Sequence, residues 1–167
     1  MRGVFMRIRW LVSLAAALCL VACDRSSKLE EGVSTEVEVR KEFGEPVTVT
    51  VMPDGSRIME YPRQPEGWTN YLITIGSDGK MSALRQLLNP DNFARVTPGL
   101  SQNEVRTLLG RPAKMVPYAL KNEEVWDWRF RPQSESKLFS VTFGPDKRVS
   151  ATAIMDDPRD SQGSGRN

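Results

Sequence analysis

The stretch Thr35–Pro46, TEVEVRKEFGEP, is written again 66 residues later as Ser101–Pro112, SQNEVRTLLGRP. Aligned on the Gly-x-Pro ending, Thr35 falls on Ser101, Glu38 on Glu104, Val39 and Arg40 on Val105 and Arg106, and Phe43 on Leu109. Thr35 and Ser101 are N-cap residues, and a glutamate three positions on completes a capping box that satisfies two orphan backbone donors. Val105, Leu108 and Leu109 form an apolar stripe at helical spacing, narrowed in the first copy where Glu42 stands in place of Leu108. Gly44 and Gly110 offer a left-handed C-terminal cap, and Pro46 and Pro112 stop the helix from resuming. A chain of 167 residues that carries the same start and stop signals twice is constrained to build one unit twice.

After each helix the apolar period changes to two, the signature of half-buried strands. In the first copy VTVTV, the Asp54-Gly55 turn and SRIMEY read as a hairpin, followed after PRQPEG by WTNYLITI, the turn GSDG and KMSAL. The second copy follows with KMVPYAL, the turn KNEE, VWDWRF, the loop RPQSES, KLFSVTF, the turn GPDK and RVSATAI. Alternation puts Trp126, Trp128 and Phe130 on one face, with Asp127, Arg129 and Arg131 on the other. An additional helix is expected over NPDNFARV, with Asn89 as cap, Pro90 at the first helical position and Phe93 inward. The expected class is α+β: a tandem of small helix-on-antiparallel-sheet units over 32–88 and 89–155, lying side by side as one body because no flexible linker separates them.

The N-terminus obeys other rules. Arg2, Arg7 and Arg9 precede the uncharged run Trp10–Ala22, the pattern of an export signal and too short for a spanning helix, which needs about 20 apolar residues. The run ends in LVAC, Leu20–Cys23, which resembles a bacterial lipobox. That resemblance implies a lipoprotein signal peptide over 1–22, acylation of Cys23 with palmitate and other chains, and a lipidated tether over 23–31. Removing the signal takes Cys19 and three arginines, leaving 20 basic against 21 acidic side chains, a balance with no nucleic-acid footprint. The mature chain keeps Cys23 alone and forms no disulfide. Residues 156–167, rich in Ser, Gly and charge, read as a disordered tail.

Chemistry is sparse. The chain has no histidine, which removes the usual general base and the commonest metal ligand. Acylation of Cys23 removes the remaining thiol. Asp127 with Glu123 or Glu124 is formally a carboxylate pair, but the glutamates fall in an expected turn and Asp127 on an outer strand face, where charges are solvated. Asp156-Asp157 lacks further ligands for a cation. No catalytic residue, metal site or cofactor is expected. The candidate partner-binding residues are Trp68, at the start of a strand, where edge packing is the alternative, and Arg63, Arg131 and Lys137. These three flank the equivalent long loops and could meet lipid headgroups or an acidic partner, with plain solvation as the alternative.

The run NFARVTPGLSQNEVRTLLGRP, Asn92–Pro112, with the WDWRF strand and the VTFGPDKRV hairpin, resembles the SmpA/OmlA domain of BamE-like lipoproteins. The resemblance covers the second copy. It implies a non-catalytic lipoprotein on the periplasmic side of the outer membrane that binds protein partners, among them the outer-membrane protein assembly complex, and supports assembly or envelope integrity. Asp24 resembles an inner-membrane retention signal, so the anchoring membrane stays open. BamE-like proteins generally carry one such domain. Two joined copies are also similar to beta-lactamase-inhibitory proteins, which implies the alternative of a regulator gripping an envelope enzyme that acts on peptidoglycan or beta-lactams.

Overall fold

The computed structural model describes residues 28–159. The expected signal peptide, the Cys23 lipidation site and residues 160–167 lie outside them.

The duplication is realised element by element. In the first copy helix α1 (Glu36–Phe43) is followed by strands β1 (Thr48–Val51), β2 (Arg57–Pro62), β3 (Asn70–Ile75) and β4 (Met81–Gln86). In the second, helix α2 (Pro90–Arg95) precedes helix α3 (Gln102–Leu109) and strands β5 (Lys114–Tyr118), β6 (Glu123–Phe130), β7 (Lys137–Phe143) and β8 (Val149–Asp156). Each copy is a four-stranded antiparallel meander in sequence order. Both capping boxes are present: Thr35 and Ser101 side chains accept from the N–H of Glu38 and Glu104, whose carboxylates accept from the cap N–H groups at 2.8 Å. Even the entry to the helix is repeated, since Thr35 bridges Lys80 and Ser101 bridges Arg148.

Each helix lays its stripe on one face of its own sheet. Val39 and Phe43 pack over Met59, Tyr61, Ile73, Ile75 and Met81, while Val105 and Leu109 pack over Trp126, Trp128, Phe130, Phe139, Val141 and Phe143. Strand register makes positions in the two cores correspond. Met59 faces Ile73 and Tyr61 faces Tyr71, as Trp126 faces Val141 and Trp128 faces Phe139. The second core is closed at one end by α2, whose Phe93 stacks on Phe139 at 4.3 Å between ring centroids. In the first copy Leu29 packs against the corresponding core.

Some boundaries differ from expectation. Gly44 and Gly110 have positive φ (83° and 71°), but their ψ values of −163° and −159° are extended, not left-handed helical. Their N–H groups still close onto Arg40 and Arg106. The extended ψ carries the chain out of the helix toward Pro46 or Pro112 and the next strand. Strand β3 begins at Asn70, two residues after Trp68. The turn expected over KNEE is a single 3-10 turn at Ala119–Lys121 ended by Asn122 in the left-handed region, so Glu123 and Glu124 belong to β6. Residues 28–31, expected as tether, hold the first sheet: Glu31 accepts from the Leu84 N–H at 2.8 Å and pairs with Arg85. Residues 156–159, expected as disordered tail, also belong to the fold. Asp156 ends β8, and Asp157 is buried, with its carboxylate 2.9 Å from Arg129.

Candidate functional site

The two units meet where β2, β3 and the loop joining them approach α3 and the end of β6. Asn70, the first residue of β3, alternates away from its own core, and its outward side meets the second unit instead of solvent. It is 1% exposed. Its amide Nδ2 donates to the carbonyls of Leu109 at 2.7 Å and Arg111 at 2.9 Å, while Trp128 Nε1 donates to the Gly110 carbonyl at 3.1 Å. Three successive carbonyls at the end of α3, groups that no helix can satisfy internally, are thus held by side chains. Beyond the reach of β5, β6 exposes the N–H and C=O of Arg129. Gln64 matches both with one side-chain amide, accepting at 3.2 Å and donating at 2.8 Å. A sheet edge that would otherwise be open is closed by the other repeat.

The same junction explains two of the four candidate residues, Trp68 and Arg131. Arg131 lies flat over the Trp68 ring, 3.6 Å from its centroid, so this pair braces the two units. Arg63 donates to the Phe43 carbonyl at 2.9 Å and covers the Phe43 ring at 5.8 Å, capping α1. Lys137 lies between Asp156 at 2.7 Å and Glu135 at 3.0 Å, and both carboxylates raise its pKa. Trp126, Trp128 and Phe130 are core residues, as their alternation indicated.

Between the units lies a cleft of about 200 Å³. Its floor is the open face of the first sheet, with Ile58, Leu72 and Leu87. One rim is the C-terminal turn of α3, with Arg106 and Arg111, while Glu60 stands on the floor itself, directly across the strand pair from Leu72. Because Val105 and Leu109 turn toward their own sheet, Arg106 stands on the flank of the helix, about 100° round from Val105. Both arginines are exposed, and neither guanidinium has a hydrogen bond or ion pair among the described residues. Asn70 also lines this cleft, and its Oδ1 is buried without a partner. Since Nδ2 is committed to two carbonyls, the amide orientation is determined and Oδ1 is a genuine unused acceptor.

The carboxylates with depressed pKa values lie elsewhere and have structural causes. Glu104 and Glu38 are lowered by the hydroxyl and N–H of their caps. Glu36 is lowered by Arg40 and Arg57. Glu124, placed on the strand, is lowered by the Trp126 indole N–H at 2.9 Å, with smaller contributions from Gln102 and Lys147. Asp127 accepts from the Ser140 hydroxyl at 2.6 Å. Among the described residues no group of three His, Cys, Asp or Glu side chains could hold a metal ion, and no helix is long and apolar enough to cross a membrane. Sequence reasoning missed Asn70, Arg106 and Arg111. The one available signal was an asparagine opening a strand of otherwise apolar alternation.

No protein-family model matches the sequence, and no curated protein matches it. Among solved structures, the chain is similar to one described as an osmotically inducible lipoprotein OsmE, at 16% identity and TM-score 0.38, covering 48% of this chain and 93% of that one. It is also similar to a DUF4309 family protein, YjgB, from Bacillus subtilis, at 16% identity and TM-score 0.34, covering 81% and 86%. A protein described as a beta-lactamase inhibitor protein from Streptococcus mutans gives 13% identity and TM-score 0.34, covering 74% and 83%. The assignment of the fold as a tandem α+β repeat rests on the strand order and register described above.

Proposed function

We propose that this chain is a non-catalytic envelope lipoprotein, anchored through Cys23, that binds a protein partner and supports outer-membrane protein assembly or envelope integrity. The observation that carries the reading is the junction cleft, a mainly apolar floor bearing Glu60, with unpaired cations on its rim, held between units that brace one another. Surfaces of this kind hold a partner without performing covalent chemistry on it. The inhibitor alternative calls for tyrosine, tryptophan and arginine clustered on an open face. Trp126, Trp128 and Tyr61 are instead buried, and Trp68 lies beneath Arg131.

The test is mild crosslinking in the native host, followed by purification of the lipidated protein and identification of what accompanies it, with Cys23→Ala as control. Recovery of outer-membrane assembly proteins, lost in the control, is the expected result. Recovery of a single envelope enzyme whose activity falls on binding would replace this reading with the inhibitor one.

A further inference from the structure

The two repeats treat their outer edges differently. In the first, β4 is covered by the segment before α1: the Met81 backbone bonds Gly32 and Ser34, and Glu31 accepts from the Leu84 N–H. In the second, Gly99 and Leu100 hold Val149 in the same way, but the Thr152 N–H, which corresponds to that of Leu84, meets no cap among the described residues. The Asp157 N–H turns inward to the Ser136 carbonyl, so antiparallel alternation turns the backbone groups of Thr152, Ile154 and Asp156 outward. The remaining edges carry guards against strand addition: β1 is four residues long between Pro46 and Pro53, and β5 contains Lys114 and Pro117. Strand β8 is eight residues long and uncharged from Val149 to Met155, and the charge on Asp156 is already met by Lys137. Ile154 and Met155 are 59% and 48% exposed. A shallow apolar groove over Phe93, Phe130 and Phe139 opens beside Thr152 and Ile154 on the helix side of the edge.

Unpaired N–H and C=O groups at strand spacing select an extended backbone, which neither a lipid nor a small anion supplies. We infer that β8 pairs with β8 of a second molecule of this chain, antiparallel and centred on Ala153, joining two second-repeat sheets across a twofold axis. In that register Thr152 and Ile154 exchange backbone hydrogen bonds with Ile154 and Thr152 of the partner molecule. Side chains match as large against small: Ile154 lies opposite Thr152 on the helix side, beside the groove, and Met155 lies opposite Ala151 on the other. Asp156 faces Ser150, and no like charges meet. An unrelated strand would satisfy the backbone alone, whereas this match of β8 to itself selects the same chain. Residues 160–167 compete poorly for the edge, because DSQGSGRN has no aliphatic or aromatic side chain to lay in the groove. A twofold pairing uses this edge in both molecules, so the association stops at a dimer.

Disulfide trapping in the full chain, purified from its native host in mild detergent, tests both the pairing and its register. Ala153 meets Ala153 of the partner molecule at a non-hydrogen-bonded site, with Cα atoms about 4.5 Å apart, within the roughly 4.4–6.8 Å that a disulfide spans. The two Ala151 residues lie more than about 12 Å apart in the same register. Ala153→Cys should therefore give at least about tenfold more disulfide-linked dimer than Ala151→Cys, with peptide mass spectrometry assigning the bond. Adding Thr152→Pro, which removes an outward N–H from each molecule and none that β7 uses, should lower the trapped dimer at least about tenfold. Ile154→Lys, at an exposed position, should do the same and serves if a thermal melt shows that the proline variant does not fold. Equal trapping of Ala151→Cys and Ala153→Cys, an Ala153→Cys variant that stays monomeric, trapping undiminished by the edge variants, or Ala153→Cys linked to a different protein would each overturn the inference.

Discussion

Replacing Asn70 tests whether the two repeats fold as one structure. Asn70→Ala removes the donor shared by the Leu109 and Arg111 carbonyls, of which the first bond is buried and the second partly so. An orphaned buried acceptor costs about 1–3 kcal/mol. Water reaches the Arg111 carbonyl more readily, so the expected loss is about 2–4 kcal/mol, or very roughly 10 °C in Tm for a chain of this size. Asn70→Asp is nearly isosteric and should be worse at neutral pH, because it places an anion against two carbonyl oxygens at a site 1% exposed. Its deficit should narrow as pH falls, since burial raises the pKa of a carboxyl and the protonated form can donate once. Urea unfolding followed by tryptophan fluorescence and by circular dichroism is the assay. In a Trp68→Phe background Trp126 and Trp128 report the second unit and circular dichroism reports both, so transitions that coincide in that background should separate if the lock is broken. A change below about 0.5 kcal/mol for Asn70→Ala, or a milder effect of Asn70→Asp at neutral pH, would refute the account of the junction.

Three further outcomes follow from other contacts. Gly44→Ala and Gly110→Ala should both destabilise, because extended ψ with positive φ is almost closed to side chains. Gly110→Ala should cost more, since its new Cβ would stand 3.1 Å from Asn70 Nδ2 and 3.3 Å from Leu87, while nothing lies within 4 Å at Gly44; thermal melts rank the two. Hydrogen bonds and nearby cations hold Glu36, Glu38, Glu104 and Glu124 below the ordinary glutamate value of 4.5 in the folded chain. The stability they contribute is present above that value and is lost as pH falls below it through the folded pKa values. Glu38→Gln with Glu104→Gln should flatten the acid slope of a pH series of urea midpoints while preserving both caps, because glutamine also closes a capping box. A double-mutant cycle of Trp68→Ala and Arg131→Ala should return a coupling of about 0.5–1 kcal/mol, the scale of an exposed cation–π pair; additive effects would remove Arg131–Trp68 as a brace.

The fold was legible because its signals are local. Thr35 with Glu38 and Ser101 with Glu104 specify helix starts within four residues, and the alternation of Trp126, Trp128 and Phe130 specifies which face is inside. The candidate site was not legible because it is made by docking one unit on the other. Asn70 is polar in a strand whose outward parity normally means solvent, and only the arrival of α3 makes it a buried donor. Arg131 and Trp68 were singled out individually, yet nothing local reveals that one covers the other. The ends were misjudged for a related reason: Leu29, Glu31 and Asp157 are held by a few long-range contacts that polar flanking sequence conceals.

The two cores also guard against assembling with each other's parts. At equivalent positions the first unit sets Phe43 of its helix against Tyr61 and Met59, while the second sets Leu109 against Trp128 and Trp126. The bulk is divided differently between helix and sheet. Laying α1 on the second sheet would crowd a phenylalanine against two tryptophans, and laying α3 on the first would leave a void where Phe43 belongs; misfits of either kind cost on the order of 1–5 kcal/mol. Tandem copies of one motif risk exchanging elements as they fold. Here the different division of bulk favours each helix on its own sheet.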